Sequence, residues 1–165
     1  MPEPWLRGPL TGTPALLQPA AHALVMARED VERALSDLTE DQVWLRPHGV
    51  ASVGFHVSHL VGSTDRLFTY ARGQALSDAQ RRVLEREATL DEIRPSKDEL
   101  MGEWREGVEE ALRRLEDTPE ATLTEPRLVG RAELPSTVLG LLFHAAEHAS
   151  RHTGQIVTTA KLVRG

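Results

Sequence analysis

The sequence predicts an all-α protein, an antiparallel four-helix bundle with a short extra helix and long connecting loops. Three observations carry this expectation. Four long segments repeat apolar residues at helical spacing. Alternation of β-branched residues with period two occurs nowhere at length. A chain of 165 residues without cysteine is long enough to bury a core of its own as one domain. The domain is read as 1–165, with residues 1–14 as an extended lead-in that lacks the apolar stretch of a signal peptide.

Each element follows from local chemistry. The first helix is read from Pro19 to Leu38, with Leu24, Arg28, Val31 and Leu35 on one stripe and Pro19 in a first-turn position where its missing N–H costs nothing. A loop from Thr39 to Val50 holds Trp44, Pro47 and Gly49. Ser52 suits an N-cap for the second helix, which continues to Arg72 before Gly73 stops it. The short extra helix is read at Ser77 to Glu87. The third long helix opens on Ser96-Lys97-Asp98-Glu99, a capping box in which Ser96 and Glu99 satisfy each other's first-turn amides. It runs through Leu100, Trp104, Val108, Leu112 and Leu115 to Glu116. Residues 118–135 are punctuated by proline and glycine and read as a loop. The fourth helix starts at Ser136 or Thr137 and reaches Val163.

Composition removes several function classes. The absence of cysteine excludes disulfides, a CxxC redox centre, thiolate zinc sites and a cysteine nucleophile. The formal net charge is −6, and the Arg81-Arg82 and Arg113-Arg114 pairs are isolated, so phosphate neutralisation has no footprint and no nucleic-acid partner is expected. The most apolar stretch, 135–160, carries Glu147, Arg151 and three histidines, all costly in lipid. A buried helix of a cytoplasmic protein with no membrane partner is the better reading.

The histidines point to chemistry. His144, His148 and His152 lie four residues apart on the last helix, so they form one stripe. Two neighbours on that stripe can converge on one metal ion, whereas the outer pair is separated by about 12 Å of helix rise. A tri-histidine site therefore needs a third ligand from elsewhere, and the second helix offers His56 and His59. Burying five imidazoles without partners would cost about 1–3 kcal/mol each, a penalty that a metal removes by taking lone pairs. His144-Ala145-Ala146-Glu147-His148 also matches the short H-x-x-E-H pattern of inverted zincins, but those proteases need a much larger α/β scaffold. Glu147 is expected to pair with Arg151 one turn on. Ser58 and Ser63 beside His59 lack the elbow turn of a nucleophile.

Gly54-Phe55-His56-Val57-Ser58-His59-Leu60, then Asp65-Arg66-Leu67, and finally His148-x-x-x-His152-x-Gly154-Gln155 together resemble the DinB/YfiT-like family of metalloenzymes. The resemblance runs from about residue 15 to 163. It implies a bundle with one divalent metal on His59, His148 and His152, commonly in homodimers. His56, His144, Glu147, Arg151 and Gln155 are then candidates for supporting or substrate contacts, with His56 able to exchange roles with His59. Gly154 would allow close helix approach, and Gln155 would hydrogen-bond a ligand imidazole or a loop.

Three imidazoles leave positions open for water or substrate, the mark of a catalytic site. With no other nucleophile in the chain, water or thiolate on the metal is expected to do the chemistry. All-nitrogen ligation and availability favour zinc or nickel. The resemblance implies a metal-dependent hydrolase or a thiol-dependent S-transferase or isomerase acting on a small-molecule substrate. Any thiol must be a low-molecular-weight cosubstrate. The alternative is a non-catalytic metal- or small-ligand-binding bundle, such as a stress or sensor protein. A homodimer is also expected, because Phe68, Tyr70, Leu141 and Leu142 cannot all point inward; the loop 118–135 would either cover them or cap the metal mouth.

Overall fold

The computed structural model describes residues 2–165, with Met1 outside the described residues. The chain is mostly helical. Its long helices are α1 (Gln18–Ser36), α3 (Val53–Ala71), α6 (Lys97–Glu116) and α7 (Val138–Arg164), joined by the short α2 (Glu40–Val43), α4 (Asp78–Arg86) and α5 (Leu90–Ile93). The predicted caps are in place. Ser52 Oγ accepts from the Phe55 amide, Thr137 Oγ1 from that of Gly140, and Ser96 and Glu99 close their capping box. Pro19 sits in the first turn of α1.

α1 packs against α6 and α7, and so does α3. Cross-contacts give the helix directions. Lys97 reaches the Leu38 carbonyl and Arg105 reaches Glu32, so α1 and α6 are antiparallel. His56 meets His152 and His59 meets His148, so α3 and α7 are antiparallel as well. The other two neighbouring pairs run parallel, contrary to a uniformly antiparallel bundle. Arg164 pairs with Asp37 where α1 and α7 both end, and Arg114, late in α6, pairs with Asp65, late in α3. The reason is the connection between α3 and α6. Residues 72–96, with α4 and α5, return along the molecule and let the next long helix start again from the same end.

The core is built from Leu24, Val31 and Leu35 of α1, Val57 and Leu60 of α3, Leu100, Trp104 and Leu115 of α6, and Ile156 of α7. Arg28, placed on the α1 stripe by spacing, is only half-buried, and Ala27 takes the inward position. Gly54 is dictated by packing. A Cβ there would lie 2.6 Å from the Trp44 ring, which closes over the first turn of α3 while its indole N–H donates to the Pro95 carbonyl at 3.1 Å.

Several segments depart from the sequence reading. The loop read between Thr39 and Val50 begins with the one-turn α2, capped by Thr39 and Gln42; one turn is too short to show periodicity. Residues 118–135, read as loop, contribute to a two-stranded antiparallel hairpin, β1 (Pro126–Val129) with β2 (Leu134–Thr137), in which Pro126 faces Thr137. Each strand has four residues; β1 alternates exposed and half-buried positions, but Arg127 is turned inward and Leu128 outward, and Leu134 also stays exposed, so hydrophobicity does not follow the pleat. The hairpin sits at the far end of α3, where Arg127 donates to the Ala71 carbonyl at 2.8 Å. The expected lead-in is folded back rather than extended. Pro4–Leu6 form a 3₁₀ turn against α1, and Arg7 donates to Glu29 at 2.8 Å.

Candidate metal centre

Ser52 starts α3 so that Phe55, His56 and His59 occupy its first two turns, and α7 passes antiparallel with His148 and His152 facing them. His59, His148 and His152 each offer a ring nitrogen, and these atoms lie within 4.8 Å of one another. His59 Nε2 and His148 Nε2 are 3.1 Å apart. The His148 and His152 rings, one turn apart on α7, have centroids 4.4 Å apart, and His59 is 4.8 Å from His152 by the same measure. Phe55 stacks on His59 at 5.9 Å and 3°, which fixes the imidazole plane from the outer side.

His59 is oriented by a residue that the sequence reading passed over. Glu87, just beyond the end of α4, accepts from His59 Nδ1 at 2.8 Å and from Arg66 at 2.7 Å. Burial opposes ionisation of Glu87, but the hydrogen bonds from His59 and Arg66 outweigh it and hold its pKa below the ordinary carboxylate value. An ionised Glu87 requires the proton of His59 on Nδ1, which turns the Nε2 lone pair toward His148. A carboxylate behind a histidine is the usual device for presenting an imidazole to a metal. The approach is close: a Cβ at Gly62 would lie 2.8 Å from the Arg66 guanidinium and 3.0 Å from the Glu87 carboxylate. The signal was present in His59 and Arg66, seven residues apart on one face of α3. Their shared acid lies 28 residues from His59 in sequence, where spacing cannot find it.

The three rings fit a cation. Burial, then the neighbouring His59, push the His148 pKa down to about 4. Burial, then the neighbouring His148, do the same for His152. Near neutral pH these rings are therefore uncharged and carry lone pairs. Two neutral imidazoles with facing Nε2 atoms repel unless a proton or cation lies between them. A tetrahedral ion with metal–nitrogen distances of about 2.0–2.1 Å places ligand nitrogens about 3.3 Å apart, close to the 3.1 Å found. The cluster can hold a metal ion.

The remaining predicted residues divide clearly. His56 is 7 % exposed and its Nδ1 lies 3.0 Å from His152 Nδ1. It does not belong to the converging trio but supports it: with the proton on His152 Nδ1, His56 would accept it and leave Nε2 of that ring free. Burial lowers the pKa of His56, which keeps it neutral for that role. His144 is exposed, 3.3 Å from Glu147, and Glu147 accepts from Arg151 at 2.9 Å. That is the surface pairing expected of Glu147, away from the trio. Gln155 is exposed and makes no hydrogen bond to a ligand imidazole. No neighbouring helix approaches Gly154, since a Cβ there would meet open space. Instead Gly154 and Gln155, with Arg151 and His56, line an open groove of 640 Å³, which meets the centre through His56 and not through the three converging histidines themselves.

The hairpin does not cover this centre. Twelve residues of α3 separate His59 from Ala71, about 18 Å along the axis, so of the two places open to this segment the metal mouth is not the one it takes, and it caps the other end of the molecule. The crossover after α3 reaches the centre instead, and it delivers Glu87.

Mostly helical structure and three converging histidines define the molecule as a candidate metal-binding helical protein. The sequence profile of the DinB superfamily matches residues 23–156, which include all three histidines and Glu87. The chain belongs to that family, as the resemblance implied. No curated protein matches it. Among the described residues, no helix is long and apolar enough to cross a membrane.

Proposed function

We propose that the protein is a metal-dependent enzyme in which His59, His148 and His152 hold one divalent ion, zinc or nickel, and that it acts as a hydrolase or a thiol-dependent S-transferase or isomerase on a small molecule. The observation that carries this reading is the 3.1 Å meeting of His59 Nε2 and His148 Nε2, with Glu87 fixing His59 from behind. When bound by three imidazoles with positions left open, such an ion supplies Lewis acidity toward a carbonyl, water or thiol. The chain's own residues orient and exclude. Glu87 and Arg66 hold His59, His56 holds His152, and Phe55 keeps water from one face of His59. The groove beside His56 and Arg151 is where substrate would lie. In this reading α1, α3, α6 and α7 act as a four-helix frame whose core stands apart from the metal. The cytoplasm is the compartment this reading assumes, since a reduced small thiol is abundant there.

Metal analysis of the purified protein is the first test, followed by turnover assays with ester panels and with low-molecular-weight thiols plus electrophiles. We expect one equivalent of metal per chain, lost in His148→Ala together with any turnover. Stoichiometric metal with no turnover across both panels would favour the non-catalytic binding protein, and no metal would end the reading.

A further inference from the structure

A second cavity, of 440 Å³, lies between α3, α4 and α6 on the other side of Glu87 from the histidines. That volume is in the range of small-ligand sites, about 300–1,000 Å³. Val61, Phe68, Val83, Leu90 and Ala111 give it apolar walls. On the α3 wall Thr64 is 3 % exposed, and its Oγ1 has no hydrogen-bond partner; the buried Ser58 Oγ beside the same cavity has none either. Buried hydroxyls left unpaired among the described residues are costly, and both residues border a space from which a ligand's polar group could supply the partner once the side chain turns toward it.

Charge selects the class of ligand. Five carboxylates line the cavity, against two guanidiniums. Asp65 and Glu110 are held by Arg114, and Glu87 by Arg66 and His59. Glu103 and Glu106, three residues apart on α6, make no ion pair among the described residues, and Arg105 between them is engaged by Glu32 at 2.8 Å. Arg86 makes no ion pair among the described residues either, so the wall carries two free carboxylates and one free guanidinium. We propose that this cavity binds a small organic ammonium, its charged head at Glu103 and Glu106 and its apolar body inside, with a hydroxyl-type group meeting Thr64. The proposal does not rest on the metal reading, although Glu87 borders both sites.

The test uses the full chain stripped of metal by chelator, so that amine coordination at the histidines plays no part. Isothermal titration with aminohexanol should show saturable one-to-one binding, while hydroxyhexanoate, the same length with the charge reversed, should show none. Glu103→Gln with Glu106→Gln, both on the exposed rim, should weaken aminohexanol binding by about tenfold or more. Thr64→Val should keep the melting temperature, because it removes an unpaired hydroxyl, and weaken binding severalfold. Gly107→Leu, where a Cβ would stand 3.8 Å from Val61, should fill the cavity and abolish binding. Equal binding of hydroxyhexanoate, unchanged affinity in the double glutamine variant, or no saturable binding to a folded wild type would each overturn the proposal.

Discussion

At the scale of single residues, the site depends on how each imidazole is held. Glu87 carries the orientation of His59, so Glu87→Gln should weaken metal binding by about 10–100-fold while leaving the helices intact. Competition with a chromophoric chelator measures this, and an affinity within twofold of wild type would remove Glu87 from the centre. His148 is the least anchored of the three, because its Nδ1 is buried without a partner. Protonation gives a second expectation. His148 and His152 have folded values of about 4, below the ordinary 6.5. Between those limits the unfolded chain binds more protons than the folded one, so the metal-free protein loses stability as pH falls from about 6.5 toward 4. Melting curves at pH 7 and 5 should separate more for wild type than for His148→Gln with His152→Gln; equal separations would contradict the assignment. The pairing of His148 and His152 was legible from the sequence, because helix geometry converts four-residue spacing into a shared face; spacing offered both His56 and His59 as the third ligand, and the family resemblance pointed to His59. Glu87 was not, since only tertiary packing brings it there.

At the scale of elements, capping chemistry was the most readable feature. Ser52, Ser77 and Ser96 start α3, α4 and α6 where the sequence placed them, because the side-chain oxygen of a cap acts on amides only two or three residues away. Helix direction was less readable, since it depends on the path of residues 72–96 rather than on any local signal. The hairpin was missed because two four-residue strands with exposed leucines carry no hydrophobic alternation in the sequence. Gly54 belongs to this scale too. The contact with Trp44 sets how the connection from α2 meets α3, and Gly54→Ala should destabilise the fold by about 1–3 kcal/mol through overpacking. Chemical denaturation reads that loss, and an unchanged midpoint would show that Trp44 moves aside freely.

At the scale of the whole molecule, the core and the histidine centre are separable. Leu24, Leu60, Trp104 and Ile156 are fully buried without touching a metal, so chelated protein should stay folded and melt cooperatively. Loss of the helical signal on chelation would recast the metal as structural. The expectation of a homodimer loses its original ground here. Phe68, Leu141 and Leu142 are all buried within one chain, and Tyr70 is half-buried. Phe143 and Leu162 of α7 and Leu128 and Leu134 of the hairpin are the large apolar residues left exposed on those elements. A dimer would use those, and light scattering on wild type and Phe143→Ser reads it. A wild-type mass of 18.3 kDa at micromolar concentration ends the dimer reading.

Glu87 also ties the centre to the least anchored helix of the molecule. α4 buries none of its nine residues, so it belongs to the segments that open locally well before the fold unravels. Each opening would withdraw the carboxylate behind His59. Occupancy of the histidines and closure of α4 are therefore thermodynamically linked, and each should favour the other. Amide hydrogens of α4 should exchange more slowly with metal bound, and the same amides in Glu87→Gln should lose that protection. A surface helix with no core of its own then serves as a gauge of whether the histidine centre is filled.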